Sequence, residues 1–175
     1  MQDDQTSNKL IIMFVLDKLS MPIQEDVLIE MCCYDNNWIT YPMFAKQTIL
    51  DLEKSGFVNR FSSNNGNYML SLTEDGSTCL GHFFKNIHKS LRDDITDFIS
   101  ENAIKYKKKQ EFFSDYKKNT DSSYTVTLKI NEVDKTIMEL NLKVPSRQLA
   151  YKIYESWGDK AIDAYKSIYD LLLNV

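Results

Sequence analysis

Between Thr40 and Gly76 the chain can hardly do anything but form a helix, stop, and turn back on itself twice. Thr40-Tyr41-Pro42 predicts a helix start, with Thr40 as capping hydroxyl and Pro42 at a first position that needs no N–H. Ala45, Ile49 and Leu52 then recur at helical spacing after Phe44. Ser55-Gly56 predicts the stop, because glycine takes the left-handed C-terminal conformation at low cost. Two β-prone runs follow, 57–61 and 68–72, and the Asn65-Gly66 pair between them is hairpin chemistry. Thr73-Glu74-Asp75-Gly76 opens another helix.

The first half is read around that stretch. Residues 1–7 are polar and predict a frayed end. A helix is expected from Asn8 to about Ser20; its run Leu10 to Leu16 leaves so little polar surface that burial on most sides follows, within the chain or partly against a second subunit. Met21-Pro22-Ile23 is an extended link. A second helix is expected over 24–34 with Val27, Leu28, Met31 and Cys32 inward, then a turn at Asp35-Asn36-Asn37. After the hairpin, Cys79, Leu80, Phe83, Phe84 and Ile87 stripe a helix that breaks near Lys89. Ser90 to Asp93 resembles a capping box, and a short helix with Ile95, Phe98 and Ile99 ends near Asn102.

From Lys105 the period changes. Tyr124, Val126, Leu128 and Ile130 alternate with polar residues, and so do Met138, Leu140, Leu142 and Val144. With residues 111–117 these make a three-stranded meander. Such a sheet needs a cover, and the last helix supplies one through Leu149, Ile153, Trp157, Ala161, Ile168 and Leu172. Gly158 inside that helix costs about 1 kcal/mol relative to alanine. The expected fold is α+β: an N-terminal helical domain with a hairpin, residues 1–104, and a small antiparallel β-meander packed on a long helix, residues 105–175.

Charge is divided unevenly. The 175 residues carry net −4; residues 1–90 hold seven Lys and Arg against eleven Asp and Glu, and residues 91–175 hold fourteen of each. The longest apolar run is far short of the roughly 20 residues of a membrane helix, and acids precede it, unlike a secretory signal. Cys32, Cys33 and Cys79 fit neither a disulfide framework nor C-x-x-C metal spacing. A cytoplasmic protein without membrane contact is expected. His82 and His88, six apart, do not share a helix face, and no nucleophile, zinc or phosphate-loop motif is present. Neither catalysis, nor a cofactor, nor a metal is expected.

The pattern of helix, Leu52-x3-Gly56-Phe57-Val58, hairpin, Leu72-Thr73-x2-Gly76 resembles the second half of a winged helix-turn-helix, as in PadR-like and MarR-like regulators. Asn8 to Ile12, Leu52-x3-Gly56-Phe57, Val144-Pro145-Ser146 and Trp157 together resemble, over nearly the full length, the bacterial domain-of-unknown-function family four-three-six-four. That resemblance implies an N-terminal winged helix, a small C-terminal α/β domain and a role in transcription regulation. It implies no catalytic residue, operator or ligand.

The candidate DNA-reading residues lie on the third helix: Tyr41, Met43, Lys46, Gln47 and Lys54. Gln47 could read adenine, and Lys46 could hold a phosphate or guanine. Arg60 and the wing tip, Asn64 and Asn65, would touch the backbone or minor groove. Lys107 and Lys108, within the basic run 105–109, would add phosphate contacts or serve only as a solvated linker. The expected partners are double-stranded DNA and a second copy, with two third helices about one helical turn apart. The acidic first half favours a different function, a protein-interaction module that kept the shape and lost the DNA. There Lys46 and Lys54 merely balance Asp51 and Glu53. Tyrosines on the last helix would line a ligand cavity for an unidentified effector, or form core and dimer interface. Cys32-Cys33 would be a redox sensor, or simply packed thiols.

Overall fold

The computed structural model describes residues 2–62, 67–132 and 135–173. The fold is α+β, with two three-stranded antiparallel sheets. Contacts divide the chain into two compact units, residues 1–106 and 107–175. No helix among the described residues is long and apolar enough to cross a membrane.

In the first unit, α1 (Gln2–Leu19) is the axis of the core. Every residue from Leu10 to Leu16 is buried within this one chain. An all-round apolar helix needs neighbours on all sides; here it packs against α3 (Pro42–Lys54), α4 (Glu74–Phe83) and β3 (Tyr68–Leu72). A second subunit is not needed to bury this run. The helix also begins earlier than the polar residues 1–7 suggest, and Gln5 is tied to α3 by donating to Asp51.

Ile23–Gln24, read from sequence as a link, is a short strand, β1. It pairs with β3, and β3 pairs with β2 (Val58–Ser62), giving the order β1-β3-β2. Two residues carry too little alternation to be seen as a strand; the partner's free edge creates it. The second helix also departs from expectation. Only Glu25–Ile29 is α-helical, α2, and Glu30–Asp35 widens into a π-helix. One side chain and one backbone amide bond to that widening: the Asn36 side chain donates to the Met31 carbonyl at 3.0 Å, and the Ile39 backbone amide donates to the Cys32 carbonyl at 3.1 Å.

At the start of α3 the cap is Tyr41, not Thr40; the amides of Phe44 and Ala45 reach the Tyr41 carbonyl, so Thr40 stands one residue too early. Pro42 occupies the first turn, and Gly56 ends the helix with φ +75°. Thr73 caps α4, accepting from the Gly76 amide at 3.0 Å. After a 3₁₀ turn at Phe84–Asn86, α5 runs from Lys89 to Glu111. Ser90 is therefore inside the helix rather than its cap, and the Arg92 amide reaches back to the His88 carbonyl. The helix does not end at Asn102: no glycine or proline interrupts it, and Tyr106, buried, donates its hydroxyl to Asp35 of the π-helix. The basic run 105–109 thus lies in the last turns of α5, not in a linker.

The second unit is the expected meander, β4 (Phe112–Lys118), β5 (Tyr124–Asn131) and β6 (Thr136–Val144), in the order β4-β5-β6. Its apolar face meets α6 (Arg147–Leu173) around Val126, Leu128, Ile130, Ala150, Trp157 and Ala161. Trp157 donates to the Lys129 carbonyl at 3.1 Å, and Ser146 caps α6 by accepting from the Leu149 amide. Leu149 and Leu172, expected inward, are exposed. Ala150 takes the sheet-facing place beside Leu149, where a small residue permits close approach. A 27-residue helix is about 40 Å long, whereas a nine-residue strand spans about 30 Å. The end bearing Leu172 therefore outruns the sheet.

Candidate functional site

The buried side of α3 carries Ala45, Thr48, Ile49 and Leu52. Thr48 satisfies its hydroxyl on the Phe44 carbonyl at 2.7 Å. The opposite side presents Met43, Lys46, Gln47, Leu50 and Lys54 to solvent at the spacing of one helix face, with Tyr41 at its head. Tyr41 and Phe44 pack edge to face at 5.6 Å. No acid stands in the first turn, so the partial positive charge of the helix start is not offset there.

The acids in the second half of α3 are engaged within the protein. Asp51 accepts from Gln5 and Gln47, each at 3.0 Å, and lies 3.9 Å from the Lys9 ammonium. Glu53 lies 3.6 Å from Arg60. Lys46 and Lys54 therefore do not balance these acids; among the described residues neither has an ion-pair partner. Gln47 commits its amide N–H to Asp51, an exposed i, i+4 contact of the kind worth about 0.2–0.5 kcal/mol.

Arg60 is placed differently from the expectation. Its guanidinium sits 2.5 Å from Glu25 and 3.6 Å from Glu53, and it stacks over the Tyr68 ring at 4.2 Å. It is mostly buried, so it ties the start of α2, the end of α3 and the hairpin together instead of facing outward to a phosphate. Asn64 and Asn65 lie outside the described residues. Lys107 and Lys108 are exposed near the end of α5, and Lys107 pairs with Glu111 at 3.7 Å.

Cys32 and Cys33 are buried and free. Burial pushes both thiols up, the Cys33 charge adding to the effect at Cys32. Both stay protonated near neutral pH, and a protonated thiol is a poor nucleophile. His82 and His88 are exposed on either side of the 3₁₀ turn. Among the described residues no group of three or more His, Cys, Asp or Glu is arranged to hold a metal. The anchoring of α5 was not foreseen from sequence. Trp38 donates to Asp94 at 2.7 Å, its ring meets Phe98 edge to face, and Phe98 meets Tyr106. Only the aromatic spacing of α5 hinted at it.

The family model described as Domain of unknown function (DUF4364) matches residues 8–172. The chain belongs to that family. The match runs through both units, so the helical half and the meander with α6 are together the DUF4364 unit. No curated protein and no solved structure matches the chain.

Proposed function

We propose that residues 1–106 of this DUF4364 chain form a winged helix, and that the protein binds double-stranded DNA through the first half of α3 to regulate transcription as a homodimer in the cytoplasm. The order α1-β1-α2-α3-β2-β3, with β3 between β1 and β2, supports the winged-helix reading. The observation that carries the DNA reading is the acid-free, solvent-facing start of α3, with Lys46 and Gln47 on the same face. The acidic count of residues 1–90 argued against a phosphate partner, but Glu25, Asp51 and Glu53 are each held by cations or amides of the same unit.

Fluorescence anisotropy against random duplex DNA over a salt series tests it. A non-specific dissociation constant of about 10⁻⁴ to 10⁻⁶ M is expected, and Lys46→Ala should reduce the salt slope by about 1. Absence of binding at low salt would overturn the reading. Arg60→Glu is the wrong probe, because it breaks the contacts to Glu25 and Glu53.

A second reading has its own observation. Tyr41, Met43, Phe44 and Leu50 are exposed on or beside the same face, Met43 at 74%, and clustered exposed apolar side chains suit a protein partner. Leu50→Asp separates the two readings. A DNA binder should tolerate it far better than Lys46→Glu, and a protein-binding face should show the reverse.

A further inference from the structure

We propose that the outer side of α6 is a self-association surface, on which the α6 helices of two copies pair antiparallel. Two stripes run along this helix. Ala150, Ile153, Trp157, Ala161 and Ala164 face the unit's own sheet. A second stripe, about 100° around the helix, is Tyr151, Gly158, Ile162, Tyr165, Tyr169 and Leu172. Its steps from Gly158 onward are four, three, four and three residues, the alternation that keeps a seam against a partner helix. It is open to solvent: Ile162 is 47% exposed, Tyr169 53% and Leu172 68%.

The occupant that fits is a second copy, because the stripe complements itself. With the twofold axis passing between Asp163 and Ala164, Ile162 of one copy meets Tyr165 of the other. Tyr169 then lies over Gly158, and Asp159 and Lys166 of the two copies run along the same side of the seam, two residues short of direct opposition. Asp159 and Lys166 flank the stripe, and among the described residues neither has an ion-pair partner. A parallel pair would instead put the equivalent charges of the two copies on opposite sides of the seam and bring no Asp159 to a Lys166. Gly158 gains a reason in this arrangement. A Cβ there would meet nothing within 4 Å in the single chain, so the fold does not require glycine; a bulky ring packing from a facing helix does use the space. Tyr165 and Tyr169 already stack on each other at 6.1 Å, presenting a stiff aromatic pair.

Sedimentation equilibrium on the full chain without DNA, from about 1 to 200 µM, tests the inference. The mass is expected to rise from 20.4 kDa towards twice that value. Ile162→Glu and Gly158→Leu should each weaken dimerisation at least about tenfold while leaving the circular dichroism spectrum of the dilute protein unchanged, since both positions are exposed. Asp159→Lys and Lys166→Asp should each weaken it by roughly two- to thirty-fold, and the double exchange should restore it. A monomer throughout the range would overturn the proposal and assign the stripe to another partner. A dimer indifferent to Ile162→Glu and Gly158→Leu would place the interface elsewhere, and failure of the double exchange to restore association would exclude the antiparallel register. Because the assay contains no DNA, a monomer that still binds duplex would sink this inference, and with it the homodimer of the proposed function, while leaving DNA binding through α3 standing.

Discussion

Gly76 shows how one residue can join two elements. It lies in the first turn of α4, and a Cβ placed there would stand 2.2 Å from the Phe57 carbonyl oxygen and 2.9 Å from a Leu72 methyl. That oxygen already accepts from the Thr73 amide at 3.0 Å, so it cannot simply move away. Gly76→Ala is expected to lower stability by about 1 to 3 kcal/mol, the cost of overpacking, read as a fall in urea midpoint with unchanged slope. Asp121 is a residue-scale case of charge. The Lys143 ammonium at 2.5 Å, then the Ser123 hydroxyl and amide, hold its carboxyl well below the ordinary 3.8. A carboxylate depressed in the folded state contributes stability above its ordinary value, and that contribution is lost as pH falls through the folded value. Asp121→Asn should therefore flatten the acid side of a melting-temperature profile below about pH 4, by a small, salt-sensitive amount because the pair is exposed.

At the scale of elements, the start of α4 also fastens the end of α3. The Thr73 hydroxyl accepts from the Gly76 amide and donates to the Gly56 carbonyl at 2.7 Å. Gly56 is the left-handed residue that ends α3, so one side chain serves a helix stop and a helix start. Thr73→Ala is expected to cost about 1 kcal/mol and Thr73→Ser almost nothing, as measured by thermal unfolding. Local chemistry of this kind was legible in the sequence, since Gly56, Thr73 and Gly76 each carry a specific backbone demand. The π-helix at Glu30–Asp35 was not. Its widening is upheld by Asn36 reaching Met31 and by Tyr106 reaching Asp35 from 71 residues away, and no local period encodes the latter contact.

Among the described residues there are two apolar cores with no residue in common, one built around α1 and one between the meander and α6. Trp157→Ala should cost the second core about 3 to 5 kcal/mol and remove the indole's hydrogen bond to the Lys129 carbonyl. Amide hydrogen exchange should then speed up in β5 while the amides of Leu10 to Leu16 keep their protection; equal loss in both would show that the two cores unfold as one. The net charge of −4 is likewise a whole-molecule number that misleads at the level of a face. It counts Asp51 and Glu53 as repelling a phosphate, although Lys9, Gln5, Gln47 and Arg60 hold them.

The sequence by itself determined the class α+β, the helix and hairpin between Pro42 and Leu72, the meander, and the exposed positions of α3, because periodicity and turn chemistry act over a few neighbouring residues. Tertiary structure alone decided that Ile23–Gln24 is a strand, that α5 continues to Glu111, and that Arg60 faces two carboxylates rather than solvent. It also decided that Ala150 rather than Leu149 faces the sheet, and that Leu172 lies in water. Each of these depends on a partner far away in the chain: the free edge of β3, the hydroxyl of Tyr106 on Asp35, the approach of Glu25 to the hairpin, and the sheet that covers Ala150 but leaves Leu149 and Leu172 in water.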